Sequence, residues 1–353
     1  MAAAAKKFGA FGGVFTPSVL TILGVIMYLR LPKVVGEAGL YAAIGIVLVS
    51  HVVSITTGLS ISSIATDKRV GAGGPYYVLS RSLGLPLGGT IGLALFVGLS
   101  FSISLYVIGF SESFLAYIAP HVDAVDLSTA ENRLFWIRVC GSATVLLLTI
   151  ITFISTSLAI KAQYFVLVAI ILSIVSIALG DTEAPLEVHL EPPASGESLA
   201  VLFGIFFPAV TGFTAGVNMS GDLKDPKRAI PIGTIAAIST GLLVYLGLTI
   251  YLAYRVPVSA LRSDGELFLH VAKWEVLVVL GIWGATLSSA LGSILGAPRI
   301  LQSMSGDRVT PRFFAKGTGL TNEPRRALIL ACLVGEAGVP IGALDDIDRV
   351  ASL

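Results

Sequence analysis

Two apolar stretches combine helix-weakening residues with the chemistry that an interrupted helix provides. The first, TILGVIMYLRLPKVVGEAG from Thr21, places Gly24 in a run long enough to enter a bilayer, and the second, FFPAVTGFTAGVNMSG, contains Pro208, Gly212 and Gly216. Proline removes an amide donor, and glycine weakens a helix. At such a break, unpaired carbonyl oxygens can coordinate a cation, and the amides that begin the next half-helix attract an anion. These residues therefore predict ion binding by the backbone.

Other polar residues in apolar segments are less specific. Ser288 and Ser289 are adjacent hydroxyls, which on the residues alone are more typical of packing between helices than of a binding site. Arg30 and Glu112 either form a pair or extend independently toward the membrane interface. His51 is interpreted as a packed polar residue that bonds to a neighbouring helix.

The composition predicts that these elements lie in a membrane. The chain of 353 residues is 55% hydrophobic and 13% charged, which is more apolar surface than one soluble domain can bury. A net charge of +1 gives no indication of a nucleic-acid partner. Cys140 and Cys332 have no metal-binding spacing, so we interpret them as small core residues. We expect an all-α polytopic membrane protein that has the lipid bilayer as its partner and is not an enzyme.

Charge-free windows of about 20 residues, the length that crosses the hydrocarbon core, predict the membrane spans. Nine are found, at 14–36, 40–64, 86–116, 136–159, 162–180, 199–219, 231–254, 273–301 and 327–343. The loops rich in basic residues contain Lys68, Arg69, Arg81, Lys161, Lys224, Lys227, Arg228, Arg299, Arg308, Arg312, Lys316, Arg325 and Arg326. The 181–197 loop has no Lys or Arg and contains Asp181, Glu183, Glu187, Glu191 and Glu197. The positive-inside rule therefore predicts a cytoplasmic N-terminus.

The two interrupted helices are spans one and six of this series. A spacing of five spans is expected for a transporter fold built from two five-helix halves in an inverted repeat, with the first helix of each half broken at the midplane. The predicted organisation is a cytoplasmic segment at 1–13, a first repeat at 14–180 and a second repeat at 199–353. The second repeat is expected to be incomplete, truncated before span ten.

Several long motifs occur in a fixed order along the chain. They are LGVIMYLRLPKVVGEAG, ITTGLSISSIATDKRVGAGGPYYVLSRSLG, YVIGFSES, FFPAVTGFTAGVNMSGDLKDPKRAIPIGT and ATLSSALGSILGAPRILQSMSGDRVTP. In these motifs, from about Val14 to Pro311, the chain resembles the cation-chloride cotransporters, a branch of the amino acid-polyamine-organocation superfamily. The resemblance implies alternating-access symport of chloride with sodium, potassium or both, without a cofactor. It also implies location in the plasma membrane and a homodimer in the full-length protein.

The resemblance further implies three kinds of ion site and a gate. Its sodium ligands correspond to the carbonyls of Leu20, Leu23 and Ala285 and the hydroxyls of Ser288 and Ser289. Its potassium ligands correspond to Thr21, Ile22, Tyr106, Pro208 and Thr211. Its chloride ligands correspond to the amides of Gly24, Val25 and Ile26 and those of Gly212, Phe213 and Thr214. Arg30 and Glu112 correspond to the gate. Family members usually have Asn where this chain has Thr21, which weakens the potassium prediction.

Within this resemblance, the serine pair favours a sodium-potassium-chloride symporter, because members that move only potassium and chloride usually lack the pair. A potassium-chloride symporter and an amino-acid carrier of the same superfamily are the alternatives, with a channel or a membrane scaffold as a third class. Bulky Val25 and Ile26 at the first break argue against an amino-acid substrate. The paired breaks argue against a channel, since alternating access requires occluded sites at the midplane.

Overall fold

The computed structural model describes residues 8–67, 73–122, 125–154, 156–180, 188–192, 196–218, 220, 223–319 and 322–341. Lys68, Arg69, Asp181, Glu183 and Glu187 lie outside the described residues, as do positions 1–7 and 342–353 of the two predicted end segments. Across the described ranges, the regular elements are all helices, and the extended pairings are two isolated bridges, Phe8–Leu223 and Thr318–Glu323. The prediction of an all-α chain is confirmed.

The α-helices follow one another along the chain with short connections. They are α1 (Thr16–Ile22), α2 (Val25–Leu29), α3 (Leu31–Asp67), α4 (Gly74–Leu83), α5 (Leu85–Ile118), α6 (Ala130–Ile154), α7 (Thr156–Ala178), α8 (Leu199–Phe206), α9 (Thr214–Asn218), α10 (Pro226–Arg255), α11 (Val258–Ser263), α12 (Leu267–Val271), α13 (Glu275–Gly306) and α14 (Arg325–Gly338). A π-helical turn at Phe11–Phe15 precedes α1, and a 3-10 helix at Phe207–Phe213 joins α8 to α9.

Seven helical segments in the described part of the chain are long and apolar enough to cross a membrane, and each overlaps a predicted span. They are Phe11–Leu29, Leu31–Asp67, Leu85–His121, Ala130–Phe153, Leu199–Asn218, Pro226–Arg255 and Glu275–Gly306. The fifth predicted span corresponds to a shorter apolar helix, Ala162–Ala178. The ninth corresponds to α14, whose 14 residues are fewer than the roughly 20 that a perpendicular span requires.

The boundary between the first two spans lies earlier than predicted. The sequence windows extend span one to residue 36, whereas in the structure α2 ends at Leu29 and α3 begins at Leu31. Within α3, Gly39 has φ 71° and ψ 168°, and a Cβ there would lie 2.6 Å from the carbonyl carbon of Glu191. Glycine alone tolerates both conditions, so this residue kinks α3. Hydropathy reports transfer into lipid and carries no information on such turns.

Helices that are five spans apart in the sequence pack against one another. The most extensive contacts join α3 to α10 and α5 to α13, which are spans two and seven and spans three and eight. Helix α1 of span one packs in the same way on the 3-10 helix of span six, and it also contacts α7, α10 and α13. An inverted repeat produces this pairing around its pseudo-twofold axis. Span one is the most buried of the seven segments, with 83% of its apolar window inside the molecule.

Candidate functional site

The first helix is interrupted at two residues, Leu23 and Gly24. Helix α1 ends at Ile22, Leu23 has φ −85° and ψ 44°, Gly24 has φ −95° and ψ −150°, and α2 starts at Val25. The negative φ of Gly24 is open to other residues, so glycine is needed here for a different reason. A Cβ on Gly24 would lie 2.9 Å from the Thr21 carbonyl oxygen. The backbone of Gly24 therefore lies closer to the Thr21 carbonyl than a side chain at position 24 would permit.

Span six is interrupted in another way, by the 3-10 helix at Phe207–Phe213. Runs of 3-10 helix longer than three or four residues are uncommon and often mark a hinge or a strained sequence. Pro208 stands in its first turn, where its missing amide costs little. The predicted interruption is present, and the chain remains helical through it with a tighter winding.

The two breaks are held together by close contact and by a buried hydroxyl. A Cβ on Gly212 would lie 2.7 Å from the Cβ and Cγ2 of Thr21, so glycine lets span six approach span one. The Ser18 hydroxyl donates to the Phe213 carbonyl at 2.8 Å and accepts from the Gly216 amide at 3.2 Å. Because both bonded groups are buried, Ser18 fixes the relative position of α1 and α9.

Four residues of the predicted sodium site, Leu20, Ala285, Ser288 and Ser289, lie where α1 meets α13. The Ser289 hydroxyl is 3.4 Å from the Leu20 carbonyl oxygen, and a Cβ on Gly24 would lie 3.6 Å from the same hydroxyl. The Ser288 hydroxyl donates to the Ala285 carbonyl at 3.1 Å. Leu20 and Ser288 also line a common cavity of about 10 Å³, which is enough space for one water molecule. Oxygen atoms from both helices therefore converge beside the break.

The residues of the predicted potassium site are near one another, but most of their oxygens already have partners. Thr21 donates its hydroxyl to the Pro17 carbonyl at 2.9 Å, and Thr211 donates to the Pro208 carbonyl at 2.8 Å. The Ile22 carbonyl accepts a hydrogen bond at 2.7 Å from Tyr245, a residue of α10. Tyr106 of α5 packs against the buried cluster that contains Ile22 and Tyr245. A cation at this place would share or replace these bonds.

The two sets of predicted chloride amides differ in their surroundings. Gly24, Val25 and Ile26 begin α2, and no side chain caps this helix end. Its amides therefore keep the partial positive charge that favours an anion. Gly212 and Phe213 instead belong to the 3-10 helix, in which amides donate to carbonyls three residues earlier. The first set is thus more available than the second.

Arg30 and Glu112, the predicted gate residues, face each other across α2 and α5. The Arg30 Nη2 and Glu112 Oε2 atoms are 3.7 Å apart, and the two side chains are only 12% and 14% exposed. Glu112 also lines a cavity of about 400 Å³ together with Arg133, Asp264 and Glu266. We call this cavity the vestibule. The ion pair stands at its wall, on the side toward the broken helix.

Charged groups give the vestibule an acidic character. Its Asp264 carboxylate contacts the His270 Nδ1 at 2.7 Å, which raises the pKa of that imidazole. Burial raises the pKa of the Glu266 carboxyl, although nearby His270 and Arg133 act in the opposite direction. Among the described residues, no group of three or more His, Cys, Asp or Glu side chains is arranged to hold a metal ion.

The chain matches one protein-family model over nearly its whole length. The family model described as amino acid permease matches residues 13–350, which includes both breaks and nearly all of the described chain. The chain belongs to the amino acid permease family.

Individual members of the family extend the comparison. The chain is 33% identical over 402 residues to human solute carrier family 12 member 1, covering 98% of this chain and 36% of that protein. It is 33% identical to human solute carrier family 12 member 2, covering 98% of this chain and 33% of that protein. An uncharacterized transporter of Schizosaccharomyces pombe is 31% identical, with 99% of this chain and 35% of that protein covered. The chain thus spans about a third of the length of these relatives.

These matches confirm the resemblance derived from the motifs, because solute carrier family 12 comprises the cation-chloride cotransporters. They also place the chain in a family of transporters.

Two residues of this permease-family chain were missed by sequence reasoning, Tyr245 and Gln163. Tyr245 is fully buried, with its ring against Phe206 at 5.0 Å and near His51 at 6.1 Å. Its hydroxyl reaches the first break across 223 positions of sequence. Gln163 of α7 lines the 10 Å³ cavity with Leu20 and Ser288. The available signal was weak: Tyr245 is one of three tyrosines in α10, and Gln163 is the one glutamine of α7. No motif or spacing in the sequence distinguished either residue.

The remaining sequence interpretations concern His51 and the cysteines. His51 is buried in α3, and its Nδ1 bonds to the Val47 carbonyl of the same helix at 2.8 Å, so the predicted bond to a neighbouring helix is replaced by a local one. Cys140 and Cys332 are free thiols. Cys332 is buried and its sulfur accepts from the Thr149 hydroxyl at 3.1 Å, as expected of a small core residue.

Proposed function

We propose that this chain carries the ion-binding core of a secondary symporter that couples chloride to sodium and potassium by alternating access. The observation that carries the proposal is the meeting of the Leu20 carbonyl, the Ser289 hydroxyl and Gly24 at the break in span one. Cation ligands and anion-binding amides there lie within a few residues of each other. A symporter needs this proximity, because each ion then lowers the electrostatic cost of binding the other.

Sodium is the cation that this arrangement suits best. A small hard cation is bound by several oxygens at short distance, and here carbonyls of Leu20, Leu23 and Ala285 are combined with two adjacent hydroxyls. The Ser288 and Ser289 hydroxyls donate to carbonyls of the same set. A bound sodium would replace those bonds, with both hydroxyls turning their lone pairs toward it.

Potassium is proposed to bind more weakly, at Thr21, Ile22, Tyr106, Pro208 and Thr211. The Thr21 side chain is shorter than the asparagine usual in the cotransporters, and its hydroxyl is engaged within α1. The Ile22 carbonyl also has Tyr245 as a competitor. A carbonyl oxygen has two lone pairs, so it can keep the tyrosine while contacting an ion, at a reduced field strength.

Chloride is assigned first to the amides of Gly24, Val25 and Ile26, and second to those of Gly212, Phe213 and Thr214. The first site is supported by the uncapped start of α2. The second requires amides to leave their 3-10 bonds, so we assign it the lower affinity. Both sites lie in protein interior, where an unpaired anion would be unfavourable without a cation nearby.

An amino-acid carrier is the principal alternative, since the matching family model is named for amino acid permeases. The Val25 side chain argues against it. This side chain is buried, and it fills the space over Gly109 of α5, where a Cβ would lie 2.3 Å from the Val25 Cγ2. An α-amino acid at the break would need that volume for its own side chain. A potassium-chloride symporter is the second alternative and differs by the absence of a sodium requirement.

The Arg30–Glu112 pair is proposed as the gate between the vestibule and the ion sites. Opening would separate two mostly buried charges, which is costly unless ions or water replace the contact. We further propose a plasma-membrane protein with its N-terminus in the cytoplasm, from the distribution of Lys and Arg. In that orientation the vestibule faces outward. A homodimer of the full-length protein is proposed from the cotransporter resemblance alone.

The test is removal of the serine hydroxyls, Ser288→Ala with Ser289→Ala. Chloride and rubidium uptake into proteoliposomes would be measured against sodium concentration for wild type and the double variant. We expect sodium stimulation to be lost, because two of the five proposed ligands are removed. Ser102→Ala provides a control, since that hydroxyl is exposed and bonds only within α5, to the Gly98 carbonyl at 2.8 Å.

An unchanged sodium curve in the double variant would favour the potassium-chloride alternative. Uptake of a labelled amino acid that depends on neither potassium nor chloride would favour the amino-acid carrier. A thermal-unfolding control separates both results from misfolding. The Ser289 bond to Leu20 joins two helices and should contribute only about 0.6 kcal/mol in a membrane, and the Ser288 bond lies within α13.

A further inference from the structure

Gln163 is a polar residue in an otherwise apolar stretch of α7. Its side chain is only 5% exposed, and its Oε1 atom has no hydrogen-bond partner among the described residues. A buried amide oxygen without a partner is unfavourable, and each such atom in a folded protein requires an explanation. Leucine or methionine would pack in α7 without this cost. The glutamine therefore indicates a bound water molecule or ion in contact with its Oε1 atom.

The surroundings of Gln163 identify where that group would be. Gln163 lines the cavity of about 10 Å³ that also borders the proposed sodium ligands. The lining includes Leu20, Thr21, Gln163, Asn218, Ser288 and Arg299. Asn218 of α9 is likewise only 5% exposed, and its Oδ1 atom also has no partner in the described part of the chain. Two unpaired amide oxygens thus belong to side chains around one small space.

The chemistry of these atoms restricts the occupant. Both unpaired atoms are acceptors, so a carbonyl, a carboxylate or a chloride ion would be repelled by them. The space accommodates one water molecule or one small cation without its hydration shell. Amide oxygens are ligands of choice for hard cations. Arg299 in the same lining raises the cost of a cation, so several oxygens must contribute to offset its charge.

We propose that Gln163 and Asn218 form a second sodium position, adjoining the one at Leu20 and Ser288. An ion there lies between α1, α7, α9 and α13. Its two amide oxygens come from α7 and α9, which the cotransporter resemblance does not include among the sodium ligands. The inference rests on the proposed sodium function and deepens it. Gln163 contributes an oxygen ligand at this position, so it affects the affinity for sodium rather than for chloride.

The test compares Gln163→Met, which removes the oxygen and nearly keeps the volume, with Gln163→Glu, which keeps an oxygen at the same place. Two quantities are measured for each: the sodium concentration for half-maximal chloride uptake, and the rise in the unfolding temperature of the purified protein on addition of sodium chloride over choline chloride. Gln163→Met should raise the half-maximal sodium concentration by about five-fold and reduce the thermal shift, with the chloride dependence unchanged. Gln163→Glu should keep the half-maximal sodium concentration at or below the wild-type value and the thermal shift at or above it.

Thr249→Val is the matched control. The Thr249 hydroxyl is another fully buried oxygen without a partner among the described residues, but it lies on α10, which does not border the cavity. Its removal should leave both sodium measurements unchanged. A smaller thermal shift in Gln163→Met but not in Thr249→Val would therefore be due to the loss of a sodium ligand at the cavity and not to the removal of a buried polar atom in general.

The thermal shift reports binding without transport, which separates this inference from the proposed function. If sodium stabilises the wild type but not Gln163→Met while uptake is independent of sodium, the binding position stands and the symport proposal fails. If Gln163→Met keeps the wild-type sodium curve and thermal shift, Gln163 holds only water and the second position is overturned. Equal loss in Gln163→Met and Gln163→Glu would also overturn it, since an oxygen ligand should rescue.

Discussion

The breaks in spans one and six use different backbone structures for related purposes. In span one, the helix stops within two residues, and the carbonyl end of α1 faces the amide end of α2 at one place. In span six, seven residues of 3-10 helix keep the chain helical from α8 to α9. A full stop leaves unpaired groups of both signs, whereas a 3-10 segment leaves few. Ion binding is thus expected to depend more on span one.

Span six contributes mainly a closely fitting surface. Gly212 and Gly216 lie against Thr21 and Val14 at distances that exclude a Cβ, and hydroxyls from other helices hold the carbonyls of the 3-10 helix. Ser54 of α3 donates to the Val210 carbonyl at 2.8 Å, in addition to the Ser18 bond to Phe213. The difference shows that helix-breaking residues can have two roles in one bundle. They can expose backbone groups as ion ligands, or they can let two helices pack closely. Substitutions at the two breaks should separate these roles.

The largest expected effect is from Gly212→Ala. The new methyl group would overlap the side chain and the backbone carbon of Thr21, at 2.7 and 2.8 Å. Overpacking of this kind typically costs about 1–3 kcal/mol, so the unfolding temperature should fall clearly. Gly247→Ala in α10 is the matched control, because nothing lies within 4 Å of its Cβ position. That change should be neutral or slightly stabilising, since alanine favours a helix by about 0.5–1 kcal/mol over glycine.

The outcome of the alanine substitutions also tests the contrast between the breaks. If Gly212→Ala raises the ion concentration for half-maximal uptake while leaving the unfolding temperature unchanged, span six is a ligand-bearing break like span one. Gly24→Ala is the corresponding test of span one. The new Cβ would have one contact below 3 Å, with the Thr21 carbonyl oxygen at 2.9 Å. It should reduce ion binding at a smaller cost in stability than Gly212→Ala.

Much of this arrangement is predictable from residue types along the chain. Gly24 and the Pro208–Gly216 region predicted both interruptions, because proline and glycine act on the local backbone. The Arg30 and Glu112 side chains are within 3.7 Å, and the serine pair lies beside the break, as the cotransporter resemblance implies. These features are local or belong to ordered motifs, which a single sequence displays.

The parts that sequence did not predict depend on contacts between distant segments. The end of α2 at Leu29 and the kink at Gly39 follow from backbone turns, which hydropathy windows do not measure. The role of Tyr245 depends on a carbonyl 223 positions earlier. The role of Gln163 depends on its place in the lining of a small cavity, where its Oε1 atom has no partner among the described residues. Such pairings follow from tertiary packing, on which propensity and spacing carry no information.

An intermediate effect is expected from Tyr245→Phe, which tests the first break alone. Loss of the hydroxyl frees the Ile22 carbonyl at the end of α1, and losing a buried hydrogen bond should cost about 1 kcal/mol of stability. The freed lone pair should lower the rubidium concentration for half-maximal uptake, because one competitor for the carbonyl is gone. Rubidium-dependent chloride uptake and thermal unfolding measure the two effects.

Tyr251→Phe is the control for that measurement. Tyr251 lies on the same helix, and its hydroxyl donates in the same way to the Ile177 carbonyl at 2.8 Å, away from either break. Its removal should reduce stability without affecting rubidium dependence. A higher rubidium requirement in Tyr245→Phe would show instead that the tyrosine orients Ile22 for the ion, and competition would be rejected.

The smallest effect is expected from Asp307→Asn, at a contact that joins the surroundings of the two breaks. Arg81 of α4 donates two hydrogen bonds to Asp307 after α13, at 2.8 and 3.0 Å, and the Tyr76 hydroxyl adds a third at 2.9 Å. Helix α4 packs on α9 at the end of span six, and α13 packs on α1 of span one. The Arg81 side chain is 42% exposed, so the pair should contribute at most about 1 kcal/mol.

The pH dependence of the Asp307 contribution follows from its pKa. Hydrogen bonds from Arg81 are the main cause that lowers the pKa of the Asp307 carboxyl below its ordinary value, and Tyr76 adds to the effect. A carboxyl with a lowered folded pKa contributes stability that is complete above its unfolded pKa of about 3.9 and is lost as the pH falls through the folded value. The difference in unfolding temperature between wild type and Asp307→Asn should therefore be constant from pH 7 to pH 5. Glu323→Gln, at an exposed contact of 3.9 Å with Arg325, should show no such difference. A difference that already shrinks between pH 7 and pH 5 would mean that the Asp307 carboxylate is not stabilised by Arg81, and that α4 and α13 are joined by packing alone.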